Sequence, residues 1–303
     1  MTTFVEGPVR LSVPATSANL GPGFDSLGIA LDLRDRLEAE VAGDGLAIEV
    51  EGAGADRVPR DDTHLVVRAM RAAFDAMAAH PPGLRLACTN AIPHARGLGS
   101  SSAAIVGGVS LARALVAGGS LLMDDEALFG LAARLEGHPD NVAPAFHGGF
   151  VISGRDEGGD YYAVRSDVDP RISVVVMIPP SPVSTELARG LLPAEVPHVD
   201  AAANAGRTAL LVAALAGQPD QLWRGTRDYL HQRQRRTAMP ESLALVETLR
   251  ADGVPAVISG AGPTVLAFAN GPSAPGTADL LARCPDGWRA LHLSIDPHGV
   301  RAE

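Results

Sequence analysis

The sequence reads as an α+β protein in two halves. Three features carry that reading. The first half runs as strands of alternating polarity followed by apolar-striped helices. The second half follows a split β-α-β order with a helical insertion. Between them "GRDEGGDYY" clusters glycine and acid as a turn-rich break. At 303 residues the chain is long enough for two domains sharing a core. The boundary falls near 155–170, and the expected division is 1–160 and 161–303.

Taken in order, "VRLSVPA" (9–15), "RLEAEVA" (36–42) and "LAIEVEG" (46–52) have the period of half-buried strands. In residues 63–80, Leu65, Val66, Ala69, Ala73 and Met77 form one helical stripe, with Thr63 as its N-cap. "LRLACTN" (84–90) returns as a strand. Helices are expected at 100–117 and 124–136, the second capped at Asp124 or Asp125, and "GGFVIS" (148–153) is a strand. After the break come a β-branched strand at 172–180 and helices at 184–191, 200–216, 219–233 and 240–252. Strands at 256–260 and 264–270 flank a glycine turn, and a helix at 276–284 and a strand at 289–295 close the chain.

Composition excludes several functions. A formal net charge of -10 offers no basic face for a phosphate backbone, and 4% aromatic residues leave few platforms for base stacking, so no nucleic-acid partner is expected. No apolar run approaches a membrane span, and "MTTFVEGPVR" lacks the basic-then-apolar order of a signal peptide. Cys88 and Cys284 stand apart, with no metal or redox spacing, which points to the cytoplasm. All 25 basic residues are arginine. A Walker A loop, Schiff-base chemistry and a kinase-type β3 lysine are thereby excluded.

Six stretches could carry chemistry. In "PHARGLGSSSAA" (93–104), Gly97 and Gly99 permit close backbone approach, and Ser100, Ser101 and Ser102 fall on the first turn of a helix. Unpaired N–H groups and the positive dipole end favour an anion there, and the hydroxyls can bond phosphate or magnesium. A serine-capped helix after a glycine turn satisfies the same residues. "VPATSANLGPGFDSLGIAL" (13–31) presents Thr16, Ser17, Asn19 and Asp25 about a turn, and serves equally as a polar connection. "LEGHPDNVAP" (135–144) packs Glu136, His138, Asp140 and Asn141 together: groups for magnesium and for orienting a hydroxyl, or a capped loop before Pro144. "VISGAGPTVLAF" (257–268) is accounted for by a hairpin. Thr185, Arg189, Arg233, Arg235 and Arg236 lie in two segments whose arginines suit carboxylate or phosphate, or plain solvation.

In this order, the segments resemble the GHMP kinase superfamily, and within it the homoserine kinase family. "PATSANLGPGFDSLGIAL", "PHARGLGSSSAAIVGG" and "SGAGPTV" correspond to the three family motifs, and "EGHPDNVAPA" and "STELARGLLP" match further segments between the second and third. The resemblance implies an N-terminal domain like ribosomal protein S5 domain 2 and a ferredoxin-like C-terminal domain. It implies ATP-dependent phosphorylation of the side-chain hydroxyl of L-homoserine to O-phospho-L-homoserine, in threonine biosynthesis, by a protein that forms homodimers. ATP would be bound by Pro93, Arg96, Gly97, Leu98, Gly99, Ser100, Ser101, Ser102 and Ala103, with no Walker lysine. Ser101 and Glu136 would hold Mg2+. Asn19, Asp25, His138, Thr185, Arg189 and Arg235 would surround the amino acid, and Ser259 to Thr264 would brace the phosphate loop. Homoserine kinases resemble this chain in having an asparagine, Asn141, at the place where mevalonate kinase and galactokinase use an aspartate base, so it would orient the hydroxyl without a carboxylate base. Among departures, His64 replaces an asparagine that many relatives carry near adenine, and "HQRQR" replaces "HEPYR" with Arg235 at the same offset from Pro240.

An α-amino acid needs an anion binder and an acceptor for its ammonium. Arg189 with Arg235, and Asp25 with Asn19, can supply them. Kinases of mevalonate, shikimate or a methylerythritol derivative are the nearest alternative, but their substrates give Asp25 no cationic partner. A silent nucleotide-binding protein on the same fold is the other, distinguished by binding without turnover.

Overall fold

The computed structural model describes residues 3–270 and 276–303. Two long strands, β1 (Val9–Asn19) and β2 (Gly23–Val41), pair antiparallel around a tight turn in which Asn19, Leu20 and Gly21 have left-handed backbone. Thus the polar stretch at 13–31 is mostly strand, with its turn at the tip. β3 (Gly45–Gly52) pairs parallel with β4 (Gly83–Asn90), and a parallel pair needs a crossover, supplied by α1 (Leu65–Ala76). α2 (Ser100–Leu115), α3 (Gly119–Leu122), α4 (Asp125–Glu136) and α5 (Pro139–His147) follow, with α2 and α5 lying against β1 and β2. β5 (Phe150–Arg155) pairs with the early part of β2 and forms a hairpin with β6 (Tyr161–Ser166).

β7 (Ile172–Ile178) opens the second half. α6 (Thr185–Gly190), α7 (His198–Gly217), α8 (Leu222–Gly225) and α9 (Pro240–Ala251) precede β8 (Ala256–Ile258) and β9 (Val265–Asn270). α10 (Thr277–Ala282), β10 (Arg289–Ser294) and β11 (Arg301–Ala302) complete the chain. The second sheet has the order β10-β7-β9-β8, antiparallel throughout. β11 returns to the first sheet, whose order is β11-β1-β2-β4-β3 with β5 and β6 attached through β2. The first sheet therefore includes strands on both sides of residue 160.

β7 explains how the halves share a core. Its side chains alternate: Ile172, Val174, Val176 and Ile178 join the main core with residues of the first sheet, while Val175 and Met177 face a second core under α9. Burial on both faces is why the strand reads as an unbroken β-branched run. A buried ion pair between Arg34 of β2 and Asp296 fastens the C-terminal segment, with Arg34 also donating to the carbonyls of Ser12 and Gly299.

Several elements differ from the sequence expectation. α1 begins at Leu65 with His64 as N-cap, because Thr63 spends its hydroxyl and N–H on Asp61. α4 is capped by Asp124, whose carboxylate accepts from Ala127 N at 2.8 Å. α5 occupies a stretch read as a loop. Pro144 offers no N–H to the Asp140 carbonyl, and that carbonyl packs against Gly28 of β2, where a Cβ would come within 2.0 Å. β6 follows the expected turn directly, as a half-exposed edge strand.

The helix expected over 219–233 stops at Gly225. Asp228 takes the backbone N–H groups of Leu230, His231 and Gln232, which a continuing helix would need for itself. α7, by contrast, is 20 residues long and apolar enough to cross a bilayer by length and composition, contrary to the expectation that no such run exists. It is a helix of the fold: Leu211, Ala214 and Leu215 enter the main core, and Asn204 and Thr208 donate to the Pro22 carbonyl.

Candidate active site

The serine triplet begins α2. Its N-cap is Gly99, at φ 69°, with no side-chain cap, so the amides of Ser100, Ser101 and Ser102 face outward without helical acceptors. Glycine is required here twice over: a Cβ on Gly99 would lie 1.9 Å from Thr16 Oγ1, and one on Gly97 would lie 2.2 Å from the Ser259 carbonyl. The loop is held from both halves. Leu98 O accepts from Thr16 N, Gly97 O from the Ser259 hydroxyl, and Arg96 O from Thr264 N. Gly260 N donates to Ala18 O while Asn19 donates its amide back to Gly260 O at 2.9 Å. The third motif thus clamps the glycine loop onto β1.

Ser101 and Ser102 both donate to one Glu136 carboxylate oxygen, at 2.6 and 2.8 Å, from the last residue of α4. Hydroxyl and carboxylate oxygens at a helix N-terminus are the hard donors that suit Mg2+ alongside phosphate. The next turn, α5, presents His138, Asp140 and Asn141. Thr16 Oγ1 donates to Asn141 Oδ1 at 2.8 Å, leaving the Asn141 amide N–H groups to donate elsewhere. His138 Nδ1 donates to the buried Asp140 carboxylate at 2.6 Å. Burial alone would lower the His138 pKa, but the bond to Asp140, its charge and that of Glu136 together raise it.

Facing these groups, Arg189 of α6 makes a two-pronged pair with Asp25, at 2.7 and 2.9 Å, which raises the arginine's pKa. Asp25 is set by Asn19, whose side-chain oxygen accepts from Asp25 N. Arg235 is 1% exposed; its Nε donates to Ala188 O at 3.1 Å and its Nη1 to His231 Nδ1 at 3.0 Å. Burial, then the neighbouring Arg189 charge, lowers the Arg235 pKa. Both guanidinium carbons lie over Phe24, 5.6 and 5.4 Å from its ring centre.

These groups line one cleft of about 320 Å³. It contains Asn19, Asp25, Glu136, His138, Asn141, Thr185, Arg189 and Arg235 together with Arg96, Gly97, Leu98, Gly99, Ser100 and Ser101. A second cavity of about 250 Å³ meets it at Ser100 and Ser101 and is lined by Asp35, Val58, Pro59, His64, Cys88 and Ala103. The Ser102 hydroxyl is turned to Glu136, and neither Ser102 nor Pro93 lines either cavity. Arg96 sits at the rim, but its guanidinium is committed to the carbonyls of His94, Pro179 and Pro180. Sequence reasoning missed Phe24, His231 and Asp35. The first two have only their neighbours to announce them, namely Asp25 one residue on and Arg235 one helical turn on; Asp35 gives no signal among the charges of β2.

The chain matches the GHMP kinases N terminal domain over residues 64–149 and the GHMP kinases C terminal domain over 210–279. It is 55% identical to a homoserine kinase of Streptomyces avermitilis, over 98% of this chain and 96% of that one. Its fold is like that of the homoserine kinase from Cytophaga hutchinsonii, with a TM-score of 0.85 at 24% identity, covering 99% of this chain and 98% of that one. It is also like that of L. major mevalonate kinase in complex with R-mevalonate, with a TM-score of 0.69 at 17% identity, covering 98% and 99%. Relatives of full length at more than half identity, with the ordered motifs folded into one cleft, place the chain in the homoserine kinase family of the GHMP kinases.

Proposed function

We propose that this cleft transfers the γ-phosphoryl group of ATP to the side-chain hydroxyl of L-homoserine, giving ADP and O-phospho-L-homoserine for threonine biosynthesis. The observation that carries the reading is one cleft with an uncapped helix N-terminus at one end and two arginines with an aspartate at the other. The first end suits a polyphosphate and the second a zwitterion.

The base of ATP would enter the second cavity, beside Val58, Pro59 and His64, and its phosphates would run along Gly97, Gly99 and the first-turn amides of α2. Ser101 and Glu136 would hold Mg2+, which when bound neutralises charge building up between the β- and γ-phosphates. The homoserine ammonium would meet Asp25, set by Asn19, and its carboxylate Arg235 and Arg189. The Asp25–Arg189 pair must open for this, but each partner regains an opposite charge from the same zwitterion. His138, steadied by Asp140, would face the substrate through Nε2, and Thr185 would line the wall beside it.

The substrate hydroxyl oxygen would then bond to the γ-phosphorus as the bond to the β–γ bridging oxygen breaks. Asn141 holds that hydroxyl with its amide N–H, its oxygen being fixed by Thr16. The hydroxyl proton leaves to a phosphoryl oxygen or to water, with no carboxylate base. Catalysis on this account is positioning and charge neutralisation. The reading carries with it a homodimer in the cytoplasm, a setting that suits two unpaired cysteines.

A coupled ADP-release assay tests it. L-Homoserine should be turned over and mevalonate should not. Arg235→Ala should raise the KM for homoserine roughly tenfold or more, the worth of a lost charged contact, while the KM for ATP stays within about twofold. Turnover of mevalonate in preference, or an unchanged homoserine KM in the variant, would overturn the assignment.

A further inference from the structure

Arg235 is a buried cation with no carboxylate bonded to it among the described residues. Among the described residues no carboxylate forms an ion pair with it: Arg189 has Asp25, and Asp228 is engaged by backbone N–H groups. A guanidinium carries five N–H donors, and among the described residues two of them have acceptors, the Ala188 carbonyl and His231 Nδ1. Both acceptors are neutral. Enclosing a charge on such terms is costly unless a ligand completes it.

The ring of His231 can be assigned from its partners. Arginine cannot accept, so Nδ1 carries no proton; the Gly21 carbonyl, 2.7 Å from Nε2, cannot donate, so Nε2 does. The ring is the neutral Nε2–H form, fully enclosed, with Phe24 at 5.2 Å between ring centres. Four charges act on this pair: Asp228, 3.6 Å from Nε2, with Asp25, Asp140 and Arg189 across the cleft. Burial, opposed by Asp228, lowers the pKa of His231, which keeps Nδ1 open as an acceptor.

We infer that His231 is a positioning residue that aims Arg235 at the substrate carboxylate while leaving its charge unspent. An aspartate or glutamate in the same place would hold the guanidinium equally well but would neutralise it, and the carboxylate of an incoming amino acid would have to compete. A histidine locked in one neutral form gives direction without that competition. The inference rests on the reading that Arg235 meets the substrate carboxylate.

The test compares two variants of equal size, His231→Asn and His231→Asp, with the parent and with Arg235→Ala. For each, kcat/KM is measured for L-homoserine and for L-homoserinamide, in which the carboxylate is a neutral amide. The ratio of the two is independent of how much of a variant folds. The parent should favour the acid strongly. The parent's preference should fall about tenfold or more in Arg235→Ala, with Arg189 supplying what remains. His231→Asn, which keeps an acceptor and no charge, should stay within about threefold of the parent ratio, and His231→Asp should cut it about tenfold or more. Equal ratios in the Asn and Asp variants, with the preference reduced only in Arg235→Ala, would overturn the role of His231 alone. An unchanged ratio in Arg235→Ala would overturn the reading of Arg235 and this inference with it.

Discussion

Asp35 lies on β2 at the wall of the second cavity, with one carboxylate oxygen accepting from Ala91 N at 2.7 Å and Ile92 N at 2.9 Å. Burial outweighs these bonds and raises its pKa from 3.8 to about 6. The folded protein therefore keeps this proton over a range in which the unfolded chain has released it. The stabilisation is complete below pH 3.8 and is lost as pH rises through about 6. A shift of about two units corresponds to roughly 3 kcal/mol. Asp35→Asn keeps an oxygen for both N–H groups and removes the titration. In urea unfolding, the variant should gain on the parent by up to roughly 3 kcal/mol between about pH 4 and about pH 8. Parallel pH profiles would show that burial does not outweigh the bonds to Ala91 and Ile92 and does not raise the Asp35 pKa. Other residues of the site were legible because their chemistry is local: Asn19, Asp25, Glu136, Asn141 and Arg235 lie in short motifs, and the cleft gathers them. Asp35 was illegible because only tertiary burial distinguishes it from its charged neighbours on the same strand. Phe24 escaped for a similar reason, since a ring under two guanidinium groups looks in sequence like any core aromatic.

α2 concentrates the proposed nucleotide end of the site in a single helix start. Its left-handed N-cap aims three amides outward, and Thr16 packs where a side chain on residue 99 would go. Gly99→Ala adds left-handed strain of about 1–2 kcal/mol and forces Thr16 aside, which also disturbs the oxygen of Asn141. Thermal denaturation should register a loss of about that size or more, and ATP should bind at least several-fold more weakly, read by nucleotide titration. Stability and affinity both at parental values would show that the loop tolerates a Cβ and that its geometry does not grip the nucleotide. The helix was readable in advance, since an apolar run follows the glycines and serines, while its use as an anion cradle was one of two readings. α5 and the segment after α8 were not. α5 contains two prolines and a polar first turn, and it persists as a helix through its contact with Gly28. Residues 226–235 have a helical composition, but Asp228 draws three backbone N–H groups out of helical pairing, and the break lets His231 and Arg235 turn inward. Both outcomes were decided by partners distant in sequence.

The cleft belongs to neither half of the molecule. Its floor is β1, β2, α2 and α5; its other wall is α6, Arg235 and the Gly260 turn, and the two are joined by hydrogen bonds from Ser259 to Gly97 and from Asn19 to Gly260. The main core runs through both sheets, and the chain's end returns to β1 behind the Arg34–Asp296 pair, so the two walls are fixed relative to one another. α+β order and a break in mid-chain were visible in the sequence pattern. The return of β11 and the extension of the first sheet through β6 were not, because strands of two and six residues at a sheet edge leave little periodicity to read. At this scale the proposal is that nucleotide tail and amino acid lie at opposite ends of the same cleft, bridged by Asn141. A crystal structure with L-homoserine and a non-hydrolysable ATP analogue tests it most directly. The account predicts phosphates against the amides of Ser100–Ser102, the amino acid's carboxylate on Arg235, and its hydroxyl beside Asn141 facing the γ-phosphate. A phosphate chain lying away from the serine triplet, or an amino acid bound with its carboxylate remote from Arg235, would contradict it.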